Sequence, residues 1–251
     1  MLTKTRAIVL HTLKYGESQM IVDLLTEQYG RMSFIQHISK SRTARVKKQL
    51  FQPTMLLEIM FDQRPHARLQ RLHEVRIATP YVSIPFEPAK LSISLFLAEF
   101  VYHSTREEQQ NPSLFSYIET SLRWLDGASR HYASFHLVFM MRLSRFIGFF
   151  PNLEDYQPGS YFDLRGACFT VAPPLHPDYL APNEASRIGT LMRMNYESMH
   201  LFRLSHTERN HITDLLLLYY RLHIPNFPDL RSLAVVRELF NESAAMPSTA
   251  G

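Results

Sequence analysis

Residues Arg6-Ala7-Ile8-Val9-Leu10-His11-Thr12-Leu13-Lys14 form a β-rich run that Tyr15-Gly16-Glu17-Ser18 closes as a turn. Met20-Ile21-Val22-Asp23-Leu24-Leu25-Thr26 follows as a second apolar run, and Gly30 ends it. In the first run Ala7, Val9 and His11 alternate with Ile8, Leu10 and Thr12, the period-2 repeat of a strand. Arg31 to Ile38 continues the pattern, with Met32, Phe34 and Ile38 on one side. Thr54 to Phe61 and Leu69 to Tyr81 are the fourth and fifth candidates, the last with Leu69, Leu72, Val75 and Ile77 as apolar members. Five short strands with small turns predict a small closed barrel, of which the OB-fold is the five-stranded form.

After Pro80, Pro85 and Pro88 the period changes from strand to helix. Pro88 to His103 has a helical pattern with proline at its start. Asn111-Pro112-Ser113 opens a second helix that Gly127 ends, and His131 to Phe149 is a third, strongly apolar one. Residues 150–183 contain six prolines and a hairpin-like stretch, Tyr161 to Val171. Helices resume at Asn183 to Tyr196, Thr207 to Leu222 and Leu230 to Phe240, with Ser205 or Thr207 placed to cap the middle one. The expected class is therefore α+β. A five-stranded OB-fold barrel over residues 1–81 precedes an α-helical domain over 82–251, with a small inserted sub-domain at about 150–183.

The composition is that of an ordinary globular protein: 251 residues, 45% apolar and 20% charged. Cys168 is the single cysteine, which excludes an internal disulfide and a cysteine-based structural zinc site. No apolar stretch approaches the length of a membrane span, and the N-terminal residues have no apolar core of a secretory signal. The expected location is cytoplasmic and nucleoid-associated. Charge is unevenly divided. Residues 1–81 hold thirteen Lys and Arg against six acids, a net +7, whereas 82–251 carry a net −3. Lys40, Arg42, Arg45, Lys47 and Lys48 place five cations in nine residues, in a stretch with no acid between Glu27 and Glu58. Such a field attracts polyanions, nucleic acid foremost.

No phosphate-cradling glycine loop or His-Glu-x-x-His is present, and the acids are scattered. His200/His206 and His206/His211 are not spaced to share a helix face. Cys168 lies between Ala167 and Phe169, where a thiol reads as a packed hydrophobe. We therefore expect binding without bond chemistry: no catalytic residue, no metal and no cofactor. The candidate phosphate contacts are Arg6, Lys14, Arg31, Lys40, Arg42, Arg45, Lys47 and Lys48. Tyr15 and Tyr29, both beside glycine at predicted turns, are candidate stacking platforms for bases; Phe34 reads as barrel core. Barrel and charge leave three classes open: a DNA-binding protein, an RNA- or ribosome-binding OB module, and a nucleic-acid enzyme whose nucleophile or clustered acids are not visible.

Taken in order, several phrases resemble the bacterial recombination mediator family RecO. They are Thr5-Arg6-Ala7-Ile8-Val9-Leu10, Tyr15-Gly16-Glu17-Ser18, Leu24-Leu25-Thr26-Glu27-Gln28-Tyr29-Gly30-Arg31, the basic loop Lys40 to Lys48, Phe51-Gln52-Pro53 and Leu72-His73-Glu74-Val75. Phe139 to Leu153 resembles the family's helix ending in a Gly-Phe-x-Pro-x-Leu phrase, so the likeness covers roughly residues 1–170. The resemblance implies binding of single- and double-stranded DNA and annealing of complementary strands. It also implies partnership with RecR in loading RecA onto DNA coated by single-strand binding protein (SSB), and capture of the acidic C-terminal tail of SSB. Arg142 and Arg145, three apart on the third helix, are candidates for that tail. Many members carry a four-cysteine zinc site where this chain has only Cys168. Here packing of Tyr156, Tyr161, Phe162 and Phe169 is expected to hold the segment instead.

Overall fold

Strand β1 (Leu2–Tyr15) is long because it serves two neighbours. Its first half, Leu2 to Ile8, pairs antiparallel with β4 (Leu56–Asp62), and Ala7 to Tyr15 pairs antiparallel with β2 (Gln19–Thr26). A bulge between Val9 and His11 bends it from one partner to the other. The computed structural model describes residues 2–37, 48–64, 67–106 and 109–240. Strand β3 (Gly30–His37) runs antiparallel to β2, and β5 (Leu69–Thr79) antiparallel to β4. A parallel pairing of β3 with β5 closes the barrel in the order β1-β2-β3-β5-β4, the OB-fold arrangement predicted from the period-2 runs.

Alternation fills the barrel. Ala7 and Val9 of β1, Met20, Val22 and Leu24 of β2, Phe34 of β3, and Leu57, Ile59 and Phe61 of β4 are buried together, with Phe51 joining them. Phe34 and Phe61 meet edge to face at 5.2 Å. The β2–β3 turn needs Gly30, whose φ is +66°. Thr26 Oγ1 donates to the Gly30 carbonyl at 2.7 Å and accepts from the Tyr29 N–H at 3.1 Å.

The outward residues of β1, Ile8 and Leu10, are also buried, and helix α1 (Pro88–Ser104) packs against this strand. Helix α2 (Pro112–Gly127) is tied to the barrel by Arg6, which donates to Glu119 at 2.9 and 2.7 Å. At its end the Asp126 carboxylate accepts the backbone N–H groups of Val82, Ser83 and Ile84 at 2.8 to 2.9 Å. Burial opposes that charge, but these bonds outweigh it and hold the carboxyl below its usual range. Lys90, 1% exposed, donates to Ser83 Oγ at 2.7 Å and Glu87 at 3.1 Å in the same knot. The first compact unit consequently extends to Gly127.

The second unit begins at Ala128. Helix α3 (Phe135–Phe146) is buried continuously from Phe135 to Met141. It is shorter than the predicted 131–149, and Gly148 follows it at a φ of +93°. The predicted hairpin is β6 (Tyr161–Asp163) with β7 (Cys168–Thr170), joined by an unpredicted β8 (Tyr179–Leu180) in the order β7-β6-β8. Phe169 meets Tyr156 and Phe162, each at 4.9 Å, while Tyr161 packs on Tyr179 at 5.7 Å. A four-cysteine zinc site does not fit a segment with one thiol. Helices α4 (Pro182–Arg193), α5 (His206–His223) and α6 (Leu233–Glu238) complete the unit. Ser205 is the cap: its Oγ accepts from Glu208 N, and the Glu208 carboxylate accepts from Ser205 N at 2.9 Å.

His136 of α3 is fully enclosed, with Nε2 3.2 Å from Thr213 Oγ1. Burial, with Arg209 adding to it, drives its pKa down to about 3. The unfolded imidazole titrates near 6.5, so the unfolded chain takes up a proton that the native one refuses. This contribution is complete above about pH 6.5 and is lost as pH falls towards 3. Urea titrations between pH 6 and 4 should show wild-type stability falling by about 1.4 kcal/mol per pH unit more than that of a His136→Gln variant. Parallel curves would refute the assignment.

Candidate nucleic-acid interface

The strand register gathers one end of the barrel into a polar row. Tyr15 lies opposite Gln19 and Gln19 opposite His37, while Lys14 lies opposite Met20 and Met20 opposite Gln36. The parallel seam covers only Ser33–Leu69, Phe34–Gln70 and Ile35–Arg71. Beyond it, a cavity of about 290 Å³ opens, lined by Gln19, Ile35, Gln36, His37, Arg71 and Leu72. A small neighbour is lined by Gln36, Leu50, Phe51, His73 and Val75. The surface therefore offers cations and hydrogen-bonding groups beside a shallow apolar floor, the mix that a phosphate backbone with unstacked bases requires.

The predicted residues divide sharply. Lys14 and Tyr15 stand exposed at the β1–β2 turn, Tyr15 at 53% of full exposure. Lys48 is exposed where the chain returns to Leu50 and Phe51. Lys40, Arg42, Arg45 and Lys47 lie outside the described residues. Tyr29 is half-buried and packs edge-on against Phe61 of the core at 5.7 Å. Arg6 faces inward to its acids, Glu27 at 2.9 and 2.6 Å besides Glu119. Arg31 lies over the Tyr102 ring at 4.0 Å and donates to the Tyr102 carbonyl. Arg71, His37 and His73 were missed. None stands out in the sequence; the fold sets His37 and Arg71 in the lining of one opening and His73 in that of its neighbour.

In the second unit Arg142 donates to the Met194 carbonyl at 3.2 and 2.8 Å. Arg145 remains exposed, over the Phe150 ring at 4.4 Å. A cavity of about 250 Å³ between α4 and α5 is lined by Leu191, Met194, Leu204 and Ile212 and by Arg187, which lies 3.7 Å from Glu208 in the same lining. The histidines face separate partners: His200 meets His131, His206 the Arg237 carbonyl and His211 Glu184. Burial, then Asp163 and Asp155, push the Cys168 thiol up, away from a reactive thiolate. Among the described residues no cluster of three His, Cys, Asp or Glu could hold a metal, and no helix is long and apolar enough to cross a membrane.

Residues 1–81 match the family model described as Recombination protein O N terminal, and residues 85–234 match Recombination protein O C terminal. The chain is 51% identical to DNA repair protein RecO of Phocaeicola vulgatus, over 96% of this chain and all of that protein. The identity to DNA repair protein RecO of Bacteroides fragilis is also 51%, with the same coverage. It is 30% to that of Porphyromonas gingivalis, over 96% of this chain and all of the relative.

The inward pairing of Arg6 has a measurable consequence. Glu119 is only 9% exposed, so losing a partner costs it solvation, but Arg6 is 40% exposed and Arg123 stays on Glu119 at 2.7 Å. Arg6→Met should therefore cost about 1–2 kcal/mol in urea, below the 3–5 kcal/mol of a fully buried pair. Affinity for nucleic acid should stay within about twofold; a larger loss would return Arg6 to the interface.

Proposed function

The chain belongs to the RecO family of DNA repair proteins, and from that premise we propose that it is a non-enzymatic recombination mediator. It binds single- and double-stranded DNA, anneals complementary strands and, with RecR, helps load RecA onto SSB-coated single strands. The observation that carries this reading is the barrel end where Lys14 and Tyr15 share register rows with Gln36 and His37, beside an opening lined by His37 and Arg71. The basic run Lys40 to Lys48 lies between two residues of that same end, His37 and Leu50. Cations hold phosphates, and one exposed tyrosine offers a sequence-tolerant stacking face.

A salt series with fluorescein-labelled single-stranded DNA tests it. Replacing Lys40, Arg42, Arg45, Lys47 and Lys48 with Ala should weaken binding and flatten the log–log salt slope by about 0.7 for each phosphate no longer neutralised. Identical slopes would move DNA off this stretch, and absence of wild-type binding would reduce the likeness to one of fold. Stronger competition by RNA of equal length would favour the RNA-binding alternative.

The SSB tail needs an apolar pocket with a basic rim. The α4–α5 cavity supplies the pocket, and Arg145 is the exposed candidate from the third helix. Arg145→Ala should weaken a fluorescent tail peptide severalfold, whereas Arg187→Ala tests the cavity lining. A loss confined to Arg187→Ala would remove Arg145.

A further inference from the structure

At the opposite end of the β3–β5 seam lies a second, larger cleft of about 450 Å³ that the DNA-binding reading does not use. Among the described residues, four arginines, Arg31, Arg64, Arg68 and Arg106, line it with one acid, Asp23. Asp23 is shared: its Oδ2 lies 3.2 Å from His11 Nδ1, its Oδ1 accepts from Ser33 Oγ at 2.5 Å, and its charge also favours that of Arg31. Arg106 is near enough to Arg31 for their charges to oppose each other. Arg64 is 3.8 Å from Asp62, and Arg68 has no ion-pair partner among the described residues. Gathering guanidinium groups in this way stores repulsion that a bound anion relieves.

The cleft is also built in advance. Gln70, 5% exposed, accepts from Arg64 N at 3.0 Å and donates to the carbonyls of Arg64 and Ala67 at 2.8 and 2.9 Å. That fixes the rim carrying Arg64 and Arg68. Tyr102, on the last turn of α1, fixes Arg31 on the opposite wall. The one aromatic lining residue offers nothing to a base, because Arg31 covers the Tyr102 ring and His11 lies against it at 4.6 Å.

We propose that this cleft binds the terminal phosphate of a nucleic-acid strand, an inference that rests on the DNA-binding reading above. An internal phosphodiester carries one charge and two continuing nucleotides. A terminal phosphate carries nearly two charges at neutral pH and three free acceptor oxygens. Walls formed by Arg31 of β3, by Arg64 and Arg68, and by Tyr102 of α1 suit a group at which the strand ends. The cleft has charge for a dianion and no stacking face for a base.

Three oligonucleotides of one sequence, bearing a 5′-phosphate, a 3′-phosphate or hydroxyls at both ends, should be compared as competitors of a labelled hydroxyl-ended strand. One phosphorylated strand should bind about tenfold tighter than the hydroxyl-ended one, which is about 1.4 kcal/mol. The advantage should shrink from pH 7.5 to pH 5, as the second phosphate proton returns near pH 6. A deoxynucleoside monophosphate should remove the advantage without displacing the hydroxyl-ended strand. The Arg68→Gln, Arg106→Gln double variant should lose the advantage and keep its hydroxyl-ended affinity within about twofold. Equal binding of all three strands, or an equal loss for all three in the variant, overturns the terminal-phosphate site alone. If no strand binds wild type, the DNA-binding reading falls and this site with it.

Discussion

The barrel closes through three residue pairs, and the candidate chemistry follows from how short that closure is. β1, β2 and β4 are joined by ladders of seven or eight pairs, whereas β3 and β5 share only Ser33–Leu69, Phe34–Gln70 and Ile35–Arg71. The strands part on either side of this parallel contact. Their unpaired edges become two openings, one bounded by Gln36, His37 and Arg71 and the other by Arg31, Arg64 and Arg68. A longer seam would satisfy more backbone groups and erase both. Phe34 and Gln70 keep the short one closed: Phe34 anchors in the core beside Phe61, and Gln70 braces the connection from β4.

The first unit depends as much on buried charge as on apolar packing. Glu119 receives Arg6 and Arg123, and Asp126 receives three backbone N–H groups beside an enclosed Lys90. Each acid is paired or bonded, so burial does not strand it. These interactions join residues far apart in the chain, Arg6 and Glu119 being 113 residues distant. No local pattern announces them, which is why a barrel read from strand periodicity ends near Tyr81 while the compact unit continues to Gly127.

What was legible was what is locally encoded. Alternation in Arg6 to Lys14 and Met20 to Thr26 fixed two strands because one face is buried and a one-residue slip would invert it. Ser205 and Thr207 both marked a helix start, and the reciprocal bonds with Glu208 make Ser205 the cap. β8 is two residues long and has no period to read. The partners of the cations were not legible for a related reason. Arg6, Arg31 and Arg142 look equivalent in sequence, yet each has its own partner: two carboxylates, a tyrosine ring and a backbone carbonyl. Charge is visible in sequence; whether it is already neutralised or hydrogen-bonded is a property of the fold.

That distinction bears on annealing. Two strands pair through their base edges, so a protein that promotes pairing must hold phosphates while leaving those edges open. Of the two predicted platforms, Tyr29 packs partly buried against the barrel core and Tyr15 is exposed. Extensive stacking would stabilise the single strand at about 1–3 kcal/mol per base and would oppose the duplex. A surface rich in cations and poor in open aromatic faces avoids that penalty. In the proposed annealing role it would screen the repulsion between two backbones without burying the groups that must recognise each other. The same scarcity of open aromatic faces in the arginine-lined cleft, where Tyr102 is covered by Arg31, directs both openings towards phosphate and away from base.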